Sequence, residues 1–296
     1  MKLSKLISIA VIFVIVQGCK NKSNDEDLSI INEVEAVVES GMTAVSGSLD
    51  EQSNSSFAFQ SVKANSIWST LLIDKAQAAA CSRAFLQSCS NGVKEIEYSN
   101  CSTLNGVRQM EGHVKLAFSN SSCAMSSNGD SVTRTYNTEI SGPRGGVVSN
   151  SSDAAQDYRL GTAYGGGAKI TKTSSGYNLD ILGKHKRMDR NGRQLFNVSV
   201  RTLQTLEVTG GLSRAARRVS NGQLEVNHNL AKFSSVITAN NIQWGDCSCY
   251  PVSGSLSIAF SGTKTGSATV TFTNECGVAS LQENGQTSKI ELSYCE

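Results

Sequence analysis

From Val93 onward, apolar and polar residues alternate with a period of two. Met110, Val114, Leu116 and Phe118 alternate with Gln109, Glu111, His113 and Lys115. Tyr177, Leu179 and Ile181 alternate with Asn178 and Asp180, and Phe196, Val198 and Val200 repeat the pattern. Leu224, Val226 and Leu230 follow, then Leu256, Ile258 and Phe260, then Ala268, Val270 and Phe272, and finally Ile290, Leu292 and Tyr294. Successive side chains of a strand point to opposite faces. The pattern therefore predicts strands with one buried and one wet face, the antiparallel arrangement. Asn-Gly pairs at 91–92, 105–106, 128–129, 191–192, 221–222 and 284–285 punctuate the chain. Asn-Gly suits two-residue hairpin turns because both positions need positive φ. The stretch from Gly262 to Gly266 reads as a longer hairpin loop. Hairpins joined in order make a meander, and ten or so strands in one sheet must curl, close or split. The expected fold is mainly β: a large, curved antiparallel meander sheet over 91–296, with one or two N-terminal α-helices packed on its apolar face. A two-sheet β-sandwich is the alternative.

Upstream the period is helical. Ile30, Ile31, Val34, Val37 and Val38 predict a short amphipathic helix. Residues 46–56, rich in Ser, Asn and acids, read as a flexible link. A second helix is expected to begin near Asn65 or Ser66, with Ile67, Trp68, Leu71 and Leu72 on one face, and to continue through the Ala-rich run to Ala84. Residues 30–90 thus form a helical segment ahead of the β domain. Cys81 and Cys89 would stand about 12 Å apart on a continuous helix, too far to bond. Either the helix ends between them or each pairs elsewhere.

The first nineteen residues have a different order. Lys2 and Lys5 precede an apolar run from Leu6 to Val16 that only Ser8 interrupts, and Val16-Gln17-Gly18-Cys19 follows. The run is too short to span a membrane and has the layout of an export signal. Its end resembles the lipobox of bacterial lipoprotein signals. The resemblance implies removal of residues 1–18, lipidation of Cys19, and a polar tether over 19–29. Each buried methylene of such an anchor contributes about 0.8 kcal/mol, and a second chain makes attachment stable. It also implies that Lys20, rather than Asp, after the Cys directs the protein to the outer membrane of a Gram-negative bacterium.

The remaining chain is long enough to bury a core. Net charge is +2, so no global field points to nucleic acid, and only 18% of residues are charged, a common look for exported β proteins. Nine cysteines are present, and lipidation would use Cys19. An even set remains: Cys81, Cys89, Cys101 and Cys123, then Cys247, Cys249, Cys276 and Cys295. In an exported chain these predict disulfides. Cys247 and Cys249 are too close to pair with each other comfortably, so they are expected to reach Cys276 and Cys295, in an order that sequence leaves open. The irregular spacing and the oxidising compartment disfavour a zinc site there. The pattern Cys249, Tyr250-Pro251, Gly254-Ser255-Leu256, Phe272, Cys276-Gly277 and Cys295 is also similar to the C-terminal parts of uncharacterised Gram-negative envelope lipoproteins. That resemblance implies a disulfide-pinned β unit.

Candidate chemistry is sparse. His113 falls on a polar strand face, His185 at a loop or strand end, and His228 on an apolar face, with no metal-pair spacing among them. Gly165-Gly166-Gly167 lacks the Lys-Ser/Thr and helix of a phosphate loop and reads as a turn or strand kink. No nucleophile–base arrangement, metal site or cofactor motif is present, so no cofactor is expected. One cationic concentration stands out. Lys184, His185, Lys186, Arg187, Arg190 and Arg193 surround the Asn191-Gly192 turn, and Arg214, Arg217 and Arg218 follow. Should adjacent hairpins join the two groups, they would form a surface for anionic lipid, lipopolysaccharide or acidic glycan. The alternative is a solvated hairpin end that keeps a sheet edge soluble. The expectation is a non-catalytic, lipid-anchored envelope protein with a structural or binding role. Its partners would be the membrane, through the lipid, and this class of anion. The alternative is a carrier of lipid or another hydrophobic ligand beneath the curved sheet.

Overall fold

A computed structural model describes residues 34, 37, 38, 40–42, 44, 45, 85, 86, 89–103, 108–141, 146–152, 155–157, 162–164, 166–188, 191–211, 214–247 and 250–292. The described positions between 34 and 45 are helical and form α1. The strands are β1 (Phe85–Leu86), β2 (Val93–Thr103), β3 (Arg108–Phe118), β4 (Ser131–Ser141), β5 (Val147–Ser151), β6 (Ala155–Asp157), β7 (Thr162–Tyr164), β8 (Ala168–Lys172) and β9 (Tyr177–Met188). They continue with β10 (Gln194–Gln204), β11 (Leu206–Thr209), β12 (Arg218–Val219), β13 (Gln223–His228), β14 (Phe233–Trp244), β15 (Pro251–Gly262), β16 (Gly266–Phe272), β17 (Val278–Glu283) and β18 (Gln286–Glu291).

Sixteen of these strands form one antiparallel sheet, and β6 and β7 pair only with each other. The sheet is a meander rather than a sandwich: its order runs from β1 to β18, each rung beside the next in sequence. Three rungs are made of two strands end to end. β5 and β8 both lie between β4 and β9. β10 and β11 both pair with β9, and β12 and β13 both pair with β14. Two-residue turns close hairpins where expected: Asn284 and Gly285, both at positive φ, join Glu283 to Gln286. Asn221-Gly222 is different. Gly222 lies inside the β12–β13 rung, where its φ is +130° and a Cβ would sit 2.7 Å from Leu206 Cα. That pair is a bulge rather than a hairpin turn. Leu230 is likewise in a turn and exposed, so the alternation of β13 ends at His228.

One sheet face carries the core. Cross-strand partners share a face, and Val198, Val200, Val226, Ile237, Ile258, Leu256, Val270 and Leu281 lie on one side in continuous register. All are buried. Residues Val34, Val37, Val38, Met42, Ala44 and Val45 of α1 are 0–7% exposed and belong to the same cluster. Helix and sheet meet around Leu206, Leu224, Ile237, Ile242, Trp244 and Leu256, the inner face of the curve. Gly41 sets the closest approach, since a Cβ there would lie 3.0 Å from Ile237 Cδ1. The expected second helix lies outside the described residues.

Meander geometry also explains the disulfides. Successive connections emerge at alternate ends of the sheet, so connections two apart share an end. Cys89, between β1 and β2, bonds Cys123, between β3 and β4. Cys247, between β14 and β15, bonds Cys276, between β16 and β17. Cys101 lies on β2 opposite Met110. Cys19, Cys81, Cys249 and Cys295 lie outside the described residues.

Candidate functional site

In a meander the chain leaves the sheet at its ends. Between β5 and β8 it leaves in the middle. Ser152 closes this exit: its Oγ accepts the Tyr136 N–H at 2.6 Å and donates to the Tyr136 carbonyl at 3.1 Å. The return is made by the triple-glycine run. Gly166 N–H donates to the Ser152 carbonyl at 2.6 Å, and the Gly167 carbonyl accepts from Leu182 N–H at 2.7 Å. Gly167 has φ +151°, and a Cβ there would lie 2.1 Å from the Arg134 carbonyl oxygen, so only glycine fits. Between exit and return, β6 and β7 form a small hairpin, and β6 approaches β9 and β10. A Cβ on Gly166 would meet the Leu182 side chain at 2.5 Å. Leu182 pairs with Arg201, on the face opposite the core. The excursion therefore passes over the outer face of the sheet.

The outer face on this side is polar and buried in part. Ser151, Lys184, Ser199, Asn227, Ser234 and Ser261 form one cross-strand row over β5, β9, β10, β13, β14 and β15. Ser199 and Asn227 are fully buried, Ser234 is 1% exposed, and Asn197, Asn229 and Glu225 are also buried. Buried polar groups require partners. Asn229 Nδ2 donates to Asn197 Oδ1 at 3.0 Å and to Ser199 Oγ at 2.9 Å, and Asn197 Nδ2 donates to Gln194 Oε1 at 3.0 Å. The Ser234 and Ser261 hydroxyls are 2.8 Å apart, and Arg201 Nε donates to Glu225 Oε2 at 2.5 Å. Expected to be wet, this part of the outer face is closed at Asn197, Ser199, Glu225, Asn227, Asn229 and Ser234 and half-open at Ser151, Lys184 and Lys186.

Lys184 and Lys186 stand in this bed, both half-buried. Neither makes an ion pair among the described residues. Burial, and then the charge of Lys186, lower the Lys184 pKa from its ordinary value. Among the described residues no carboxylate offsets either effect.

The two cationic groups do not join. The turn after β9 and the connection after β11 are consecutive, and so lie at opposite ends of the sheet. Arg218 pairs with Thr209, one position beyond the Val208–Tyr177 pair, whereas Met188 ends β9 eleven residues from Tyr177. At 3.3 Å per residue the separation is about 36 Å. Arg187 pairs in register with Phe196 and Val148, Arg193 is exposed at the turn, and Arg190 lies outside the described residues. Arg214 opens the short 3-10 helix Arg214–Ala216, and Arg218 is exposed. Arg217 is fully buried on the core side, its guanidinium 5.5 Å from the Trp244 ring.

The histidines serve structure or stand apart. His228 Nδ1 accepts the Ala231 N–H at 3.1 Å, and its ring lies 5.2 Å from that of Phe233, so it closes the β13–β14 turn. His113 is exposed beside an open recess of about 590 Å³ that Glu95, Glu97, Glu111 and Lys115 also line, and Lys115 faces Glu95 at 3.8 Å. No group of three metal-ligating side chains occurs among the described residues. On the core side, the cavity between α1 and the sheet holds only about 20 Å³.

Sequence reasoning found Lys184 and Lys186 but missed the Asn and Ser bed. Its parity was visible, because Asn197 and Ser199 alternate with Phe196 and Val198, but its burial was not. The available signal was the glycine run paired with a strand that stops short at Ser152. Compared with known proteins, the chain matches no family model, no curated protein and no solved structure.

Proposed function

We propose that the protein is a lipid-anchored, non-catalytic component of the bacterial outer membrane that binds a hydrophilic partner on the outer face of its sheet. The observation that carries the binding role is the set of buried polar groups on the outer face beside a mid-strand excursion. Burying Ser199, Asn227 and Ser234 on what a meander would leave wet costs desolvation that apolar residues would avoid. A polar, preorganised surface of this kind suits recognition. The lipobox residues Val16 to Cys19 support the anchor, and the Cys89–Cys123 and Cys247–Cys276 bonds fit an oxidising compartment. Carriage of a hydrophobic ligand has less support. Among the described residues the inner face is occupied by α1, and about 20 Å³ admits no acyl chain. Metabolic labelling with palmitate and membrane fractionation test the anchor. The wild-type chain should be labelled and sediment with outer membrane, and Cys19→Ser should be unlabelled and soluble. An unlabelled wild type, or a Cys19→Ser form that still sediments, refutes it.

A further inference from the structure

We propose that Lys184 and Lys186, with the Asn197, Ser199 and Asn229 bed beside them, bind an acidic saccharide: a hydroxyl-rich ring bearing a carboxylate or phosphate. The inference rests on the binding role above and names its ligand class.

Charge comes first. The two lysines point to one face of β9, two residues and so about 6.6 Å apart, a separation that one anionic group can bridge. They are the cations at the centre of the outer face, and no acid pairs with them among the described residues. The nearby guanidinium, Arg201, is already committed to Glu225. Holding two ammonium groups half-buried and adjacent is unfavourable without an anion, as the lowered pKa of Lys184 shows. An anion seated between them removes both the repulsion and the uncompensated charge.

The surroundings then narrow the class. Lys184 is flanked in register by Ser151 and Ser199, and Lys186 by Ser149 and Asn197. Neighbouring strands are about 4.8 Å apart, so the half-buried Ser149 and Ser151 lie within reach of an anion that the ammonium groups hold, while Asn197, Ser199 and Asn229 are buried behind them. Asn197, Asn229, Gln194 and Ser199 are fixed by hydrogen bonds to one another, which orients them before binding. An acyl tail finds no apolar receptor here. A bilayer surface needs outward, exposed cations, whereas these are half-buried on a strand that β6 also approaches. A sugar acid or sugar phosphate meets the cations with its charge and the flanking Ser149 and Ser151 hydroxyls with its own.

The test uses the soluble, full-length Cys19→Ser chain and calorimetric titration at low and physiological salt. The probes are a galacturonic acid trisaccharide, glucose 1-phosphate, maltotriose and inorganic phosphate. At least one acidic sugar should bind, and Lys184→Gln/Lys186→Gln should weaken it by tenfold or more. Arg218→Gln, at the other end of the sheet, should leave it unchanged. Binding of the uronate alone assigns a carboxylated ligand, and binding of the sugar phosphate alone a phosphorylated one. Maltotriose should bind at least tenfold more weakly than the acidic sugar, and so should inorganic phosphate. Three results overturn the proposal: equal binding by the double variant, phosphate or maltotriose binding as tightly as the acidic sugars, or no millimolar binding by protein whose thermal unfolding is cooperative. Such a failure leaves the labelling result for Cys19 untouched, so the anchor and the ligand class stand or fall separately.

Discussion

Gly41→Leu tests how α1 is held. Gly41 lies where helix and sheet come closest: a Cβ would be 3.0 Å from Ile237 Cδ1 and 3.7 Å from Leu224 Cδ1. The adjoining cavity is about 20 Å³, room for about one water and not for a leucine side chain. Alanine asks Ile237 to give by a few tenths of an ångström, and its helix propensity returns about 1 kcal/mol, so Gly41→Ala should be close to neutral. Leucine adds three further heavy atoms with no space for them. Overpacking of a tight core costs about 1–3 kcal/mol, and the upper end applies where the contact already begins at Cβ. Less the propensity gain, a net loss of about 2 kcal/mol is expected, or about 4–8 °C in Tm for a domain of this size. Relief comes from lifting the helix, which uncovers Trp244, 4% exposed at present. The chain has two tryptophans, so the measurement is made in a Trp68→Phe background. Emission from Trp244 should shift to the red in Gly41→Leu and stay in place in Gly41→Ala. A leucine variant within 0.5 kcal/mol of its parent and with unchanged emission would show that α1 is not seated through Gly41.

Lys184→Met should raise stability at neutral pH, because it removes a charge that burial and Lys186 disfavour. The sign follows from linkage: a lowered folded-state pKa means that the native chain holds fewer protons than the unfolded chain, so the wild type gains stability as pH rises towards the ordinary lysine value of 10.5. Urea titrations from neutral pH to that value should show the advantage of methionine shrinking, and an advantage that grows would contradict the assignment. The two disulfides close loops of similar length, with separations of 34 and 29 residues, and chain-entropy arguments give roughly 3.5–4 kcal/mol each. Cys89→Ala/Cys123→Ala and Cys247→Ala/Cys276→Ala should each lose stability on that scale in urea, and a loss below about 1 kcal/mol in either would mean that its reduced chain remains tethered by other structure.

The fold was legible because the hydrophobic pattern has one period and the turns are local. Phe196, Val198 and Val200 could only face one way, and every strand following its neighbour leaves a meander as the simplest arrangement. Of the strands for which the sequence shows no clear alternating run, β14 and β4 have plain physical reasons. β14 places Ser235 on the core face and shifts register after Asn240, near Asn241 at φ +50°, so its apolar alternation breaks before Ile242 and Trp244. β4 places Arg134 and Thr138 on that face, where the Arg134 guanidinium lies 4.8 Å from the Tyr136 ring. The separation of the cationic clusters was readable in principle, because consecutive meander connections lie at opposite ends. Merging Arg217 with Lys186 treated nearness in sequence as nearness in space. The burial of the polar bed had no signal beyond the glycine run at 165–167. Alternation assigns Ser199 and Asn227 to a face, and only a tertiary contact decides whether that face is wet.

Part of that contact comes from β6, which approaches β9 and β10, and its position is the strongest argument for function. A continuous strand through β5 and β8 would keep every ladder bond between β4 and β9 and would need no glycine run. Instead the rung is broken at Ser152 and remade at Gly167, with Ser152 Oγ taking up the Tyr136 backbone groups and glycine admitted where no side chain fits. The break leads β6 towards β9 and β10, where Asn197 and Ser199 are buried and Lys184 and Lys186 make no ion pair among the described residues. Had the excursion served stability, apolar residues beneath it would have packed at lower cost than a hydrogen-bonded polar bed. Covering amides, hydroxyls and ammonium groups keeps them fixed, partly desolvated and charged. In that condition an ammonium group attracts an anion more strongly than it would in water. The interruption and the uncompensated charge are therefore two parts of one device, and the lysine titrations measure its working element directly.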